Sequence, residues 1–293
     1  MYERLEECPV CKHPAYKNLM ICKDHLVSEE SFALVECQNC QLLYTNPRPT
    51  QENLPKYYQS QDYISHTSKA NNLTNIVYKI ARFYTIRRKY KLITKYQQTG
   101  KILDYGCGTG NLLRYFQNKN WSVKGVEPDP NARHIATKEN KLEVIENINK
   151  IGKEEKFDVI MLWHVMEHIA DLKKTARKLV RHLEDNGIMI IAVPNHKSYD
   201  AAYYKENWAG YDVPRHLYHF NQLNIKELFT KMKVKLKETH PMKLDPYYVA
   251  LLSEKNIGKP NNYLKAIKIG YRSNKAAIQN DNNFSSIIYV VKK

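Results

Sequence analysis

Nowhere does this chain run to the roughly 18 consecutive apolar residues that a membrane-spanning helix needs, so no helical span is expected. Its opening residues, Met1-Tyr2-Glu3-Arg4-Leu5-Glu6-Glu7, lack the apolar core of a signal peptide. There is no internal repeat and no low-complexity tract. A soluble, cytoplasmic protein is the expectation. Acidic residues are scarce: 30 Asp and Glu face 46 Lys and Arg, a net charge of +16. That balance suits RNA, a phosphorylated substrate or an acidic membrane surface. It suits a merely solvated basic surface equally well, so charge does not choose among partners. With 293 residues, 43% of them hydrophobic, the chain can bury one large core and carry an appendage.

Of the six cysteines, four form two Cys-x-x-Cys pairs: Cys8 with Cys11, and Cys37 with Cys40. Without a secretion signal, paired knuckles read as a zinc site rather than as disulfides. Each offers two thiolates, and together they close a tetrahedral S₄ site. Phe32 to Glu36 reads as a strand entering the second knuckle and Leu42 to Tyr44 as one leaving it, a zinc-ribbon pattern. A segment this short has little core, so the metal would supply much of its folding free energy. Four thiolates leave no open position, so the Zn²⁺ is expected to be structural. Cys22, His13 and His25 are possible substitute ligands that nothing requires.

The chain is organised around Lys101-Ile102-Leu103-Asp104-Tyr105-Gly106-Cys107-Gly108-Thr109-Gly110. Ile102 and Leu103 read as the end of a buried strand. Glycines follow at alternate positions, and a helical pattern begins at Asn111. A glycine turn between strand and helix is where a nucleotide-like cofactor docks in a doubly wound sheet. The spacing is Asp-x-Gly-x-Gly-x-Gly, not the G-x-G-x-x-G of dinucleotide sites. An acid inside the turn repels a pyrophosphate and suits a cofactor carrying an amine.

Asp104 to Gly110 resembles motif I of the class I S-adenosylmethionine-dependent methyltransferases. The resemblance implies that Asp104, Gly106, Cys107, Gly108 and Gly110 hold the amino-acid end of S-adenosylmethionine. Glu127, after the apolar segment Trp121 to Val126, falls where this family's ribose-binding acid sits. Phe157-Asp158-Val159-Ile160 through Glu167-His168 is similar to the family's fourth-strand motif, which implies that backbone at Trp163 and His164 lines the methionine end. His168 then either points toward the transferred methyl or holds the local loop.

The expected architecture is α/β: a doubly wound, seven-stranded Rossmann-like methyltransferase sheet with a small N-terminal zinc ribbon. Residues 1–50 form the ribbon, 51–99 a helical cap or linker, and 100–293 the methyltransferase domain. In the cap, Tyr57, Tyr58 and Tyr63 come early. Ile76, Ile80, Phe83, Tyr84, Ile86, Tyr90 and Ile93 recur at helical spacing opposite a basic face of Lys79, Arg82, Arg87, Arg88, Lys89, Lys91 and Lys95. Expected strands are 101–104, 121–127, 141–146, 157–163 and 187–194, then 234–240 and 285–291. Helices are expected at 110–119, 131–139, 171–182 and 223–232, with 246–271 mostly helical. Near-continuous apolar strands separated by helices argue a parallel sheet covered on both faces.

Two lookalike motifs compete. His164-Val165-Met166-Glu167-His168 matches the inverted zinc-protease motif H-x-x-E-H, but that motif needs one helix, and here it straddles a strand end and a loop. Asp245-Pro246-Tyr247-Tyr248 is similar to the Asp-Pro-Pro-Tyr motif of amine methylation, but it lies far from the fourth strand and reads as a turn.

Residues 195–220 crowd Tyr199, Tyr203, Tyr204, Trp208, Tyr211 and Tyr218 into the loop that leaves the fifth strand. Two readings stand. In one, aromatics wall an acceptor pocket, Arg215 forks onto a carboxylate or phosphate, and His216 or His219 accepts a proton. In the other, the segment is a self-packed aromatic lid in which Arg215 pairs with Asp212. The run Asp212-Val213-Pro214-Arg215-His216-Leu217-Tyr218-His219-Phe220 is similar to one in bacterial methyltransferases of small-molecule and envelope-polysaccharide pathways. His216 is the first candidate base, His168 the second, and Arg215 the candidate anchor. The leading expectation is methyl transfer to a small-molecule, sugar or lipid-linked acceptor; the ribbon resembles that of certain deoxysugar methyltransferases. An RNA methyltransferase using ribbon and basic surface, and an inactive cofactor-binding scaffold, are the alternatives.

Overall fold

The computed structural model describes residues 1–58 and 72–293, with side chains described outside 59–81. Tyr63, and the side chains of Ile76, Lys79 and Ile80, therefore lie outside the described residues. Two compact units divide the chain. The first begins with the N-terminal segment and adds Met166–Thr175 and Ala192–Tyr289; the second ends its leading stretch at Val165 and adds Ala176–Ile191 and Val290–Lys293.

The chain opens with β1 (Tyr2–Glu3), β2 (Tyr16–Lys23), β3 (Ser31–Cys37), β4 (Leu43–Thr45) and β5 (Arg48–Pro49). Helix α1 (Asn72–Thr94) leads to β6 (Lys101–Tyr105), α2 (Asn111–Gln117), β7 (Ser122–Val126), α3 (Pro130–His134), β8 (Val144–Ile145) and β9 (Phe157–Trp163). Then come α4 (Leu172–Arg181), β10 (Leu183–Pro194), α5 (Tyr199–Tyr204), β11 (Tyr218–His219), α6 (Gln222–Thr230), β12 (Lys235–Pro241), α7 (Asp245–Asn256), α8 (Tyr263–Gln279) and β13 (Ser286–Lys292).

Seven strands share one sheet in the order β12-β13-β10-β9-β6-β7-β8. β6 pairs in parallel with both β7 and β9, placing Asp104 opposite Gly125 and Met161. Ile102, Leu103, Val159, Ile160 and Met161 are fully buried, the burial on both faces that their unbroken apolar runs predict. α2 turns Leu113 and Phe116 inward, and Phe116 meets Trp121 edge-on with ring centroids 5.1 Å apart. The helix expected at 131–139 is α3, capped by Asp129 accepting from the Ala132 N–H, and it widens into a π turn over Ile135–Glu139. The third strand shrinks to Val144–Ile145, and Lys141, where it was expected to begin, takes a left-handed φ of 53° instead.

β2 was not expected. It pairs antiparallel with β3, but the register shifts between Asn18 and Met20. That irregularity breaks the two-residue alternation that would have announced the strand. A small sheet follows in the order β11-β4-β3-β2. Its outer strand comes from the far end of the chain, Tyr218 opposite Tyr44 and His219 opposite Leu43, so the ribbon segment is not a self-contained sheet. The first unit's core joins Phe32, Leu34, Leu43 and Tyr57 to Tyr204, Trp208, Tyr211, Ala250 and Ile269. Among the described residues no helix is long and apolar enough to cross a membrane.

Candidate functional site

In the second unit, β6 ends between two parallel neighbours and the chain must turn at once. Gly106, Gly108 and Gly110 take φ values of 80°, 55° and 79°, the left-handed region that glycine enters without penalty. The N–H groups of Gly106 and Cys107 both donate to the Val126 carbonyl, at 2.7 and 3.1 Å. A Cβ on Gly106 would stand 2.5 Å from Val165 Cγ2, and one on Gly110 2.4 Å from Leu142 Cδ1, whereas among the described residues nothing lies within 4 Å of one on Gly108. The outer glycines are therefore packing positions, and the middle one leaves an open face.

Two carboxylates flank that face. Asp104 is 4% exposed. Burial pushes its carboxyl up to about 7; the Lys89 ammonium pulls the other way and the Glu127 charge adds to the rise. Glu127 accepts from the Gly108 N–H at 2.8 Å and the Asp129 N–H at 2.9 Å, and burial raises its carboxyl too. The Cys107 thiol is raised by burial and packs toward Gly125, so only its backbone belongs to the turn. Trp163 ends β9 with the Lys89 Nζ 4.1 Å over its ring, and His164 leaves the strand with a φ of 55°. A glycine surface open to a ligand between two buried acids fits a cofactor that carries positive charge and ribose hydroxyls.

In the first unit, Cys8, Cys11, Cys37 and Cys40 converge. The Cys8–Cys40 and Cys11–Cys37 sulfurs are each 3.5 Å apart, and all four lie within 4.8 Å of one another. That is too long for a disulfide and close to the ~3.7 Å edge of a tetrahedron with Zn–S bonds of about 2.3 Å. Each knuckle closes the same way: Lys12 and Gln41, after the second cysteine, have φ of 68° and 57° and donate back to the carbonyls of Cys8 and Cys37. The hydrogen bond between Cys8 and Cys40 lowers the Cys8 thiol and raises that of Cys40, so the pair gives up one proton readily and holds the other until an ion replaces it. Four thiols with this spacing fit a closed structural ion. Cys22 is buried in the aromatic core, apart from the cluster.

The segment 212–219 is held by the ribbon. Thr45 Oγ1 donates to the His216 carbonyl at 3.0 Å, and the Thr45 N–H to the Leu217 carbonyl at 3.1 Å. The structure corrects the expectation for Arg215. Its side chain is 1% exposed, with Nη2 at 2.8 Å from Asp24 and 2.7 Å from Asp212, Nε at 3.0 Å from Asp212, and Nη1 at 2.8 Å from the Tyr57 carbonyl. Every nitrogen of the fork is committed within the fold, so none is left for an acceptor. The aromatic wall is corrected likewise. Tyr204, Trp208, Tyr211 and Tyr218 are buried, the Trp208 indole donates to Asp200 at 2.8 Å, and Tyr203 is the exposed exception.

His216 and His168 do come together, edge to face, with ring centroids 4.6 Å apart. His216 Nδ1 lies 2.9 Å from the Gly210 carbonyl, and His168 Nδ1 lies 3.0 Å from the Arg215 carbonyl and 3.0 Å from Tyr58 Oη. A carbonyl only accepts, which assigns a hydrogen to Nδ1 on both rings, so in the neutral form of either ring the lone pair is on Nε2. Burial drives His168 down to about 4, and the neighbouring His216 adds to the fall. His219, buried with an unpartnered Nε2, is driven well below its ordinary value.

A family model described as a methyltransferase domain matches residues 78–233, more than half of the chain. The chain belongs to the class I S-adenosylmethionine-dependent methyltransferases. A ubiquinone biosynthesis O-methyltransferase of Rickettsia conorii is 27% identical over 162 residues, covering 50% of this chain and 55% of that protein. One of the same description from Pelagibacter ubique is 33% identical over 101 residues, covering 32% and 42%. This methyltransferase chain thus spans about half the length of these curated relatives. The plantazolicin methyltransferase BpumL, solved with S-adenosylhomocysteine, shares the fold at a TM-score of 0.52 and 16% identity, covering 82% of this chain and 93% of its own. The [4+2]-cyclase SpnF shares it at 0.50 and 15%, covering 70% and 80%.

Sequence reasoning missed several residues of this methyltransferase. Lys89 was read as one of a basic helix face, although it stands beside Asp104 and Trp163. Asp24 and Tyr58 carried no motif at all. Glu167 was visible only as part of the fourth-strand motif and of the protease lookalike, with no role of its own, yet its carboxylate lies 3.9 Å from His216 Nε2 and is fully buried.

Proposed function

We propose that this chain transfers a methyl group from S-adenosylmethionine to an oxygen of a small-molecule acceptor. The observation that carries the reading is the open Gly108 face between the buried carboxylates of Asp104 and Glu127, within a chain of this family. Asp104 accepts from the cofactor's ammonium, Glu127 from the ribose hydroxyls, and the backbone from Trp163 to His164 bounds the methionine end. The bound cofactor supplies an electrophilic methyl carbon on a sulfonium. The rest is alignment and removal of one proton. A hydroxyl nucleophile needs that proton removed, and His216 is the group for it: its Nδ1–H is fixed on a carbonyl, leaving Nε2 to accept. His168, with its lowered pKa, is the poorer base. The O-methylating relatives favour an oxygen acceptor; a sugar or lipid-linked hydroxyl belongs to the same chemistry. The four thiols hold a structural Zn²⁺ that sets the strands around residues 212–219, a role testable by zinc content of wild type against Cys8→Ser.

The experiment is to incubate purified protein, radiolabelled S-adenosylmethionine and a producing-cell extract, then count label in small-molecule, lipid–polysaccharide and RNA fractions. Label in a small-molecule or saccharide fraction, lost in Asp104→Ala and reduced about 10²-fold or more in His216→Gln, supports the reading. Label in RNA, or cofactor binding with no turnover on any fraction, overturns it.

A further inference from the structure

The half of the H-x-x-E-H motif that follows the strand end meets the Arg-His-Leu-Tyr-His loop. Glu167, His168 and His216 each offer a ligand atom, and these atoms lie within 4.8 Å of one another. Glu167 has no exposed surface and His216 is 9% exposed. His164, the first histidine of the motif, is not in the group.

Three features fit a metal centre better than a chance cluster. The donor set is two imidazoles and one carboxylate, the set that binds borderline divalent ions such as Zn²⁺, Fe²⁺ and Mn²⁺ while leaving positions open. Both rings are oriented by a backbone carbonyl on Nδ1, Gly210 for His216 and Arg215 for His168, which is how metal-bound histidines are usually held. The nearby cation is already neutralised, since Arg215 is paired with Asp24 and Asp212. Asp212 itself stands 3.9 Å from His216 Nε2, adding negative charge on the same side. Ligand bonds of about 2.0–2.2 Å need the donors roughly 3 Å apart. His216 Nε2 and Glu167 are 3.9 Å apart, so the group closes by about 1 Å around an ion.

We propose that Glu167, His168 and His216 form a three-ligand site for a divalent transition-metal ion, distinct from the four-cysteine cluster and open where that one is closed. The consequence rests on the methyl-transfer reading: an acceptor hydroxyl bound at an open position loses its proton to water near neutral pH. The ion, rather than free His216, then lowers the cost of deprotonation, and His216→Gln acts by losing the ion.

Mn²⁺ is the probe, because a four-thiolate site takes it poorly. Full-length protein with its cysteine cluster intact is titrated with Mn²⁺ while the free-ion EPR signal is followed. The expected result is one Mn²⁺ per chain, bound at least about 100-fold more weakly in Glu167→Gln and His216→Gln and unchanged in His134→Gln. Circular dichroism establishes which variants fold; if Glu167→Gln does not, His216→Gln carries the comparison. Absence of saturable Mn²⁺ or added Zn²⁺ binding, or binding that survives both substitutions, overturns the site. Turnover that ignores bound Mn²⁺ overturns its role and leaves methyl transfer standing. Stoichiometric binding without turnover keeps the site and removes the function proposed above.

Discussion

The glycine turn of the second unit and the histidine cluster of the first are built in opposite ways. The turn draws Asp104 through Glu127 from one strand–helix–strand run, so nearly all its parts lie within a short stretch of chain. The cluster draws on Asp24, Thr45, Tyr58, Glu167, His168 and residues 212–216, brought together by strand pairing across more than 170 positions. The turn keeps its geometry through backbone conformation. The cluster keeps its geometry through buried side-chain pairing. A local site is shaped by the tight turns that glycine permits; a remote one is held by charges that are costly to leave unpaired.

The sharpest way to break that contrast is Arg215→Met. It leaves the Asp24 carboxylate buried without its cation, and breaking a buried pair costs about 3–5 kcal/mol. Denaturant titration should find that loss. Burial raises the Asp24 carboxyl, but hydrogen bonding to Arg215 and the Ser28 amide, with the Arg215 charge, outweighs it and holds the group below its usual range. The stabilisation is therefore complete above the unfolded value of about 3.9 and lost as pH falls through the lower folded one. In Arg215→Met the onset of acid unfolding should move to higher pH. A loss under about 1 kcal/mol would mean that the remote site is not held by this pair.

Next come the glycines. Gly106→Ala meets Val165 at 2.5 Å with φ at 80°, and should cost about 2–4 kcal/mol of stability. Gly108→Ala meets nothing, so only the left-handed strain of about 1–2 kcal/mol applies. S-adenosylmethionine affinity by calorimetry should nonetheless fall more than about tenfold in Gly108→Ala, since its methyl enters the ligand face. Equal stability losses in the two variants would remove the distinction between packing and ligand-facing glycines.

The pH behaviour of Asp104 follows. Its folded carboxyl titrates near 7 against about 3.9 unfolded. The folded state without cofactor therefore prefers the proton, gains stability as pH falls through 7, and carries a buried charge above it. Asp104→Asn without cofactor should be about 1–4 kcal/mol more stable than wild type at pH 8, with no advantage at pH 4. Cofactor affinity of the wild type should weaken up to about tenfold per pH unit below 7, and that slope should vanish in Asp104→Asn. A flat wild-type profile would remove Asp104 from the site.

The smallest expected effect is Thr45→Ala, which removes one hydrogen bond to the His216 carbonyl and should cost about 1 kcal/mol. Any larger fall in Mn²⁺ affinity than in stability would show the ribbon tuning the cluster as well as supporting it.

Much of the second unit was legible because its signals are local. Alternate glycines after an apolar pair, and an acid at the end of the next strand, are read within a few residues. The third strand was overestimated because apolar content at an edge says little about where pairing stops. The first unit resisted for a different reason. β2 hid its alternation behind a register shift, and Arg215 advertised a ligand-binding fork that the fold had already filled. The tyrosines of the 195–220 loop were equally consistent with a pocket wall and with a core, because an aromatic ring looks the same in sequence whether it faces a ligand or Phe32 and Ala250.

By itself the sequence determined the family, the order of strands and helices around the glycine turn, and the convergence of four cysteines, because spacing along the chain is enough to specify each. Only the tertiary structure decided that Arg215 is a buried clamp, that the ribbon sheet takes its last strand from Tyr218–His219, and that Glu167 joins His168 and His216. Those facts depend on contacts between distant segments, where burial makes each unpaired charge costly, and no local spacing encodes which partner will relieve it.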